Sequence, residues 1–552
     1  ITEDTMFSLG DLDNDGKPEI IYLIHEKDPV FGDKHCSRMV SMNYKVESLW
    51  VSECVTPTFD YHEFSIGDVD GDRYKDIVIF SLDDSTLYII DGKDGSIERI
   101  LAKEIKNVPP EPEYIYKYFY EKGEFSLGID SIVAVADIDG DGKVEIATEE
   151  PYVLSPYKRE FLFLVEVTHP DAWSIWIKGV PALGDIGQDG NIELFVGGAF
   201  VVFDNKGKLI RAFYCPDKYE IEGKCSGTTE PYPDTDVPPP WGPYFSPQSK
   251  PVVADVTGDG NVDATFYAAN PILPIVAVSI LDAKFYYLSK ELVGKELAAG
   301  DFDGDGKMEI VATGKEYIYD EEKDKYESNP ETVFVSLMGL DGVKWVKWVK
   351  RLSDGPVNDG FGIPKPLLLA DINGDGRIEI VVGRFNGGMI FNDKGDMLVE
   401  SISELVFNEI LNYEAVKPLT NSGFTLSYRK KETTCSWSNF QDCLANFVYE
   451  VYNERLKHNY NISITDTIND LCKFNDLCLS PKSMFASDNC SLGDIDGDGY
   501  IELVCRTGHY LYALKLGKMP VEDRLIPWPL SHRDVGRTRC AGTPKQCPFP
   551  KW

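Results

Sequence analysis

Asp301, Asp303, Asp305 and Glu309 stand at positions 1, 3, 5 and 9 of a nonapeptide whose sixth residue is Gly306. Three aspartates spaced by two repel one another when a tight loop gathers them. A hard divalent cation removes that penalty, and oxygen donors at alternating loop positions are the set calcium takes. Glycine at position 6 admits the positive φ that turns a chain around an ion. Position 7, here Lys307, would add its backbone carbonyl. The stretch is read as a calcium loop, with carboxylates as ligands and not as proton shuttles.

Variants of it recur, making eight copies in all. The first is Asp11, Asp13, Asp15, Lys17 and Glu19, and the second is Asp68, Asp70, Asp72, Tyr74 and Asp76, with Arg73 in the glycine position. The third is Asp137, Asp139, Asp141, Lys143 and Glu145. The fourth keeps Asp185, Asp189, Asn191 and Glu193, but Gly187 removes the position-3 ligand. In the fifth, Asp255, Thr257, Asp259, Asn261 and Asp263, a hydroxyl replaces that carboxylate. The seventh is Asp371, Asn373, Asp375, Arg377 and Glu379, and the eighth is Asp494, Asp496, Asp498, Tyr500 and Glu502. Up to eight calcium ions are expected. Loops two and four are the weakest sites, for want of a glycine and of a ligand respectively.

The flanks say what holds these loops. A Gly or Ala precedes each copy, position 2 is always apolar, and β-rich runs such as Ile310-Val311-Ala312 follow position 9. Strand, cation turn, strand is the implied unit. An EF-hand would place its last acid at position 12 between helices, so EF-hands and dockerin-like pairs are disfavoured. Successive copies start 57, 69, 48, 70, 46, 70 and 123 residues apart. Steps of that size suit four-stranded propeller blades. At this point the chain resembles the FG-GAP (or VCBS) repeat of integrin α-subunit propellers and many secreted microbial proteins. The resemblance spans roughly residues 5–400 and 485–520. It implies an all-β, eight-bladed β-propeller whose calcium loops join the first two strands of each blade. The segment Ile526 to Asp534 also resembles the W-P-M-F-x-H-D run that ends many secreted microbial propeller proteins.

The expected organisation is seven blades over 1–404, an insertion over 405–488, the last blade over 489–530 and a tail over 531–552. Phe440, Leu444, Phe447, Val448 and Val451 recur at helical spacing, so the insertion is read as partly helical and held by Cys435, Cys443, Cys472 and Cys478. The tail is expected to supply the outer strand of the last blade. Aromatic insertions over 108–125 and 228–249 are candidate contact surfaces, against the plainer alternative that they pack on the propeller face.

Net charge is −36 over 552 residues, which argues against nucleic acid as a partner. Twelve cysteines without a CxxC read as disulfides in an oxidising compartment, and Cys490 and Cys505 flank the eighth loop so as to staple its hairpin. No apolar run is long enough to span a bilayer. Asn461-Ile462-Ser463 and Asn489-Cys490-Ser491 fit the glycosylation sequon, and a scarcity of glutamine (188, 248, 441, 546) fits a hot environment. A mature, secreted, extracellular or cell-surface protein is expected. No HExxH, GxSxG, P-loop or dinucleotide motif occurs, which favours an adhesion or interaction role, with protein or glycan partners or self-association, over catalysis. The alternatives are a structural subunit of a filament or surface layer, and a polysaccharide lyase similar to calcium-dependent rhamnogalacturonan lyases.

Overall fold

A computed structural model describes residues 7–55, 64–101, 133–164, 180–228, 250–289, 296–350, 367–399, 424–435 and 489–520, with short breaks inside these spans, together with 104, 292, 530, 540–541 and 547. All eight motif copies lie in the turn between the first two strands of separate antiparallel sheets. The innermost strands are Phe7–Gly10, Phe64–Gly67, Val133–Ala136, Pro181–Gly184, Val252–Ala254, Glu296–Gly300, Leu367–Ala370 and Asn489–Gly493, here called blades 1 to 8. Blades 1, 2, 3, 6 and 7 are four-stranded meanders, and blade 8 shows three strands among the described residues. No helix occurs among the described residues.

One register serves every blade. The small residue before each loop pairs with the position-9 acid: Gly10 with Glu19, Gly67 with Asp76, Ala136 with Glu145 and Gly184 with Glu193. Ala254 with Asp263, Gly300 with Glu309, Ala370 with Glu379 and Gly493 with Glu502 complete the set. The acid thus begins the second strand with its side chain turned into the loop. Smallness is required because the next blade packs there. A methyl group on Gly67 would lie 3.0 Å from a Val144 methyl, and one on Gly493 would lie 3.2 Å from Leu9.

Burial falls from the axis outward. Phe64–Gly67 and Pro181–Gly184 are buried along their whole length, whereas the outer strand Ser48–Val51 buries only Trp50. Inner strands are covered on both faces by neighbouring blades, which is why their residues are mostly small or apolar. The core therefore sits between blades: Ala182, Phe195 and Val202 of blade 4 pack with Val253, Ala264 and Phe266 of blade 5. Each fully buried Phe of this kind contributes about 1.5–3 kcal/mol of apolar transfer. Leu9 and Ile21 of blade 1 share a cluster with Val504 of blade 8, so the ring closes between the first and last blades.

Outer edges are tied as well. The Trp50 indole N–H donates to the Gly92 carbonyl of blade 2 (2.7 Å), and the Trp345 indole N–H donates to the Asp393 carbonyl of blade 7 (2.8 Å). Each ring lies across a left-handed glycine of that turn: a Cβ on Gly95 or Gly395 would meet it at 2.6 or 2.7 Å.

Cys490 and Cys505 face each other across the blade 8 hairpin and are bonded, as their spacing implied. The expected outer strand of blade 8 lies outside the described residues, and the described part of the tail serves another blade. Its described strand, Cys540–Ala541, runs parallel to Val253–Ala254 on the axial edge of blade 5 and touches the inner strands of blades 4 and 6, not the outer edge of blade 8. The Cys540–Cys547 disulfide is buried in the core between blades 4 and 5. Within 405–488 the hairpin Phe424–Tyr428 and Lys431–Cys435 is described, while the expected helix over 440–451 lies outside the described residues. The aromatic stretches 108–125 and 228–249 also lie outside them, apart from Thr228.

Candidate metal centres

Hydrogen bonds shape each loop. In the sixth, Asp301 accepts the N–H groups of Gly304 (2.7 Å) and Gly306 (3.2 Å), Asp305 accepts that of Lys307 (2.8 Å), and Glu309 Oε2 accepts that of Phe302 (2.9 Å). The bond from the position-2 N–H to the position-9 carboxylate recurs at Leu12, Val69, Ile138, Ile186, Ile372 and Ile495. In loop 5, Asp263 takes the Thr257 N–H instead (2.8 Å). Position-2 side chains are buried beneath the turn in all eight copies.

The turn uses two left-handed residues where the sequence pointed to one. Position 6 was expected, as at Gly306 (φ 87°), but position 4 behaves likewise: Gly71, Gly140, Gly258, Gly304, Gly374 and Gly497, with Asn14 and Gln188. The signal was present, since Gly or Asn fills seven of those eight places and both enter this region easily. Arg73 takes φ 83° in the second loop without the glycine its neighbours have.

Three carboxylates converge in five loops: Asp11, Asp13 and Asp15; Asp68, Asp70 and Asp76; Asp137, Asp139 and Glu145; Asp301, Asp303 and Glu309; Asp494, Asp496 and Glu502. In each, one oxygen from every residue lies within 4.8 Å of the others. The second loop is thus among the well-formed clusters despite Arg73. Loops 4, 5 and 7, with Gly187, Thr257 and Asn373 at position 3, are not among these groups. The remaining carboxylates of the expected set (Glu19, Asp72, Asp141, Asp185, Asp189, Glu193, Asp255, Asp259, Asp263, Asp305, Asp371, Asp375, Glu379 and Asp498) lie in the same turns, where the position-5 carboxylate accepts the position-7 N–H.

Three observations fit a cation there. Asp137 Oδ1 and Glu145 Oε1 in loop 3, and Glu502 Oε1 in loop 8, are buried without a hydrogen-bond partner. Thr257 Oγ1 in loop 5 is buried beside the Asp263 carboxylate, where a hydroxyl ligand would sit. Burial, reinforced by neighbouring aspartates, pushes Glu19, Glu145, Glu193, Asp263 and Glu502 up to about 7, and Asp76 and Glu379 up to about 8. Carboxylates so placed ionise readily only beside a positive charge. A divalent ion held by these residues would supply that charge and neutralise the loop.

Several adjacent loops are also tied to one another. The position-8 N–H of one loop donates to a carbonyl at position 1 or 2 of the loop before it: Lys75 to Leu12 (2.9 Å), Val144 to Asp68 (3.0 Å) and Met308 to Asp255 (2.8 Å). The position-7 lysines lay their side chains across the position-4 glycine of the preceding loop, Lys143 on Gly71, Lys307 on Gly258 and Lys17 on Gly497. The last of these joins loop 8 to loop 1. Where position 4 is not glycine, its amide bridges instead: Asn14 to the Arg73 carbonyl and Gln188 to the Gly260 carbonyl.

No protein-family model matches the chain, and no curated protein matches it. Among solved structures, it is similar to an Agrocybe aegerita lectin that recognises non-reducing terminal N-acetylglucosamine (TM-score 0.35, 16% identity, 71% of this chain and 92% of that one). It is also similar to the exotype rhamnogalacturonan lyase YesX (0.23, 14%, 73% and 74%). A third is the β-propeller domain of a protein from Myceliophteria thermophila (0.26, 9%, 56% and 92%). These TM-scores are low, and the propeller architecture rests on the eight sheets themselves.

Proposed function

We propose that the chain is an extracellular propeller of the FG-GAP/VCBS type, clamped by calcium and acting as an adhesion or interaction protein toward a protein or glycan at a cell surface. The observation that carries this is the convergence of three carboxylates in five loops, two of which also aim a buried, unpartnered carboxylate oxygen into the cluster. Hard, purely oxygen donors on a flexible turn suit calcium, whereas magnesium demands near-octahedral geometry and keeps its waters. The disulfides Cys490–Cys505 and Cys540–Cys547 support an oxidising compartment, where even weak calcium sites fill. Because these contacts tie several loops to their neighbours, bound ions would hold those blades together, and recognition belongs to other surfaces.

Calorimetry in calcium and in chelator tests the clamp. An unchanged melting temperature would remove calcium from this role. Glycan and surface-protein arrays probed with the calcium-loaded chain test recognition, and a uniformly blank result on both would remove the adhesion role.

A further inference from the structure

In the blades whose fourth strand is described, the cation loop shares its end of the blade with the turn between the third and fourth strands, and that turn differs from blade to blade. In blade 6 it brings Lys344, at the start of the outer strand Gly342–Lys350, onto the loop. Lys344 Nζ lies 2.8 Å from Glu309 Oε1 and 3.0 Å from Asp303 Oδ2, two of the three converging carboxylates. In blade 3, Lys158 pairs with Asp139 and lies 2.7 Å from Asp141 Oδ2. In blade 8, Lys515 pairs with Asp498 at position 5. Loops 1 and 2 differ. Among the described residues no lysine or arginine makes an ion pair with Asp11, Asp13, Asp15, Glu19, Asp68, Asp70, Asp72 or Asp76, although Lys75 faces Asp11 and Glu19 from further away. Beside loop 2 the corresponding turn offers Asp91, a further negative charge near Asp70 and Asp72.

We propose that Lys158, Lys344 and Lys515 are built-in competitors for the divalent cation, dividing the five clusters into two affinity classes. Loops 1 and 2 fill first; loops 3, 6 and 8 fill at higher cation concentration, each as an ammonium leaves its carboxylates. This rests on the calcium role proposed above. Calcium would sit 2.3–2.6 Å from its oxygens. Lys344 already pairs with two of the converging carboxylates, Lys158 with Asp139 and the position-5 Asp141, and Lys515 with the position-5 Asp498, so each ammonium would stand within a few ångströms of the ion, and like charges that close repel strongly. The carboxylates can serve one cation or the other. The lysine form keeps the loop neutral enough to fold before the ion arrives, and lysine's long, flexible stem lets it withdraw.

Lys344→Met keeps the length of the side chain and removes the charge. Calcium titration by calorimetry should show the same number of ions bound as in the unaltered chain, with one step about tenfold tighter, the scale of a single nearby charge at partial exposure. Adding Asp303→Asn should abolish that step and so assign it to loop 6. The melting temperature in chelator should fall in Lys344→Met while that in calcium holds or rises, a divergence that mere loss of packing would not produce. Affinities unchanged in Lys344→Met, Lys158→Met and Lys515→Met would overturn the competition and leave the calcium role intact. No calcium bound by the unaltered chain or by any variant would overturn both.

Discussion

Loops 3 and 4 are neighbours in the ring and share one scaffold. Ile138 and Ile186 donate to Glu145 and Glu193 (3.0 and 2.7 Å), and Gly142 and Gly190 donate to Asp137 and Asp185 (2.9 and 2.8 Å). Both position-9 glutamates are buried and pushed up to about 7. Yet only loop 3 gathers three carboxylates, because position 3 is Asp139 there and Gly187 in loop 4. The turn is therefore held by backbone N–H groups donating to the position-1 and position-9 carboxylates, and the convergence of three carboxylates is a separable property resting on one side chain. A blade can keep its shape without the converging carboxylates.

The largest expected effect is removal of the ions altogether. A site bathed in calcium at a hundredfold excess over its Kd adds about 2.7 kcal/mol. Chelation should therefore lower the melting temperature markedly by calorimetry, with blades 3 and 6 losing amide protection before blade 4 in hydrogen exchange. Equal loss in all three would break the contrast drawn above.

Next comes pH. Burial raises the folded-state values of Glu145 and Glu193 above their ordinary 4.5, to about 7. The folded chain then holds protons that the unfolded chain has released, so in chelator stability should fall as pH rises between those values. With calcium, which would hold Glu145 ionised in the folded chain as it is in the unfolded one, that residue's part of the slope should vanish. Melting temperatures from about pH 5 to about pH 8, with and without chelator, check both outcomes.

A reciprocal pair of substitutions exchanges the two loops at the level of one ion. Asp139→Asn should remove one bound calcium, and Gly187→Asp should add one, since a Cβ at Gly187 meets nothing within 4 Å. Elemental analysis of dialysed protein counts the ions. The smallest effect is Arg73→Gly, which relieves a left-handed arginine (φ 83°) and should stabilise blade 2 by about 1 kcal/mol in chemical denaturation.

Carboxylates at 1, 3, 5 and 9 and the recurring glycine placed every blade, because a turn motif between two strands is local information. The even register followed from the small residue before each loop. Contacts made between blades were less legible. Trp50 and Gly95 are far apart in sequence, and nothing in either marks the other as its partner. The lysine-on-glycine contacts had a signal, since Lys17, Lys143 and Lys307 each follow a loop with glycine at position 4, but it becomes visible only once the ring sets which loops adjoin. Arg73 misled for a different reason: its backbone takes the strained conformation, and Asp68, Asp70 and Asp76 converge regardless.

The strand Cys540–Ala541 has a mechanical consequence. Tension carried along the chain beyond Ala541 arrives at the hub, on the inner edge of blade 5, and not at the outer strand of blade 8. A propeller pulled by its last blade unpeels from the rim, one strand at a time. Here the load is shared at once among blades 4, 5 and 6, whose inner strands all touch the hub strand, and the rim stays slack until the hub strand is drawn out.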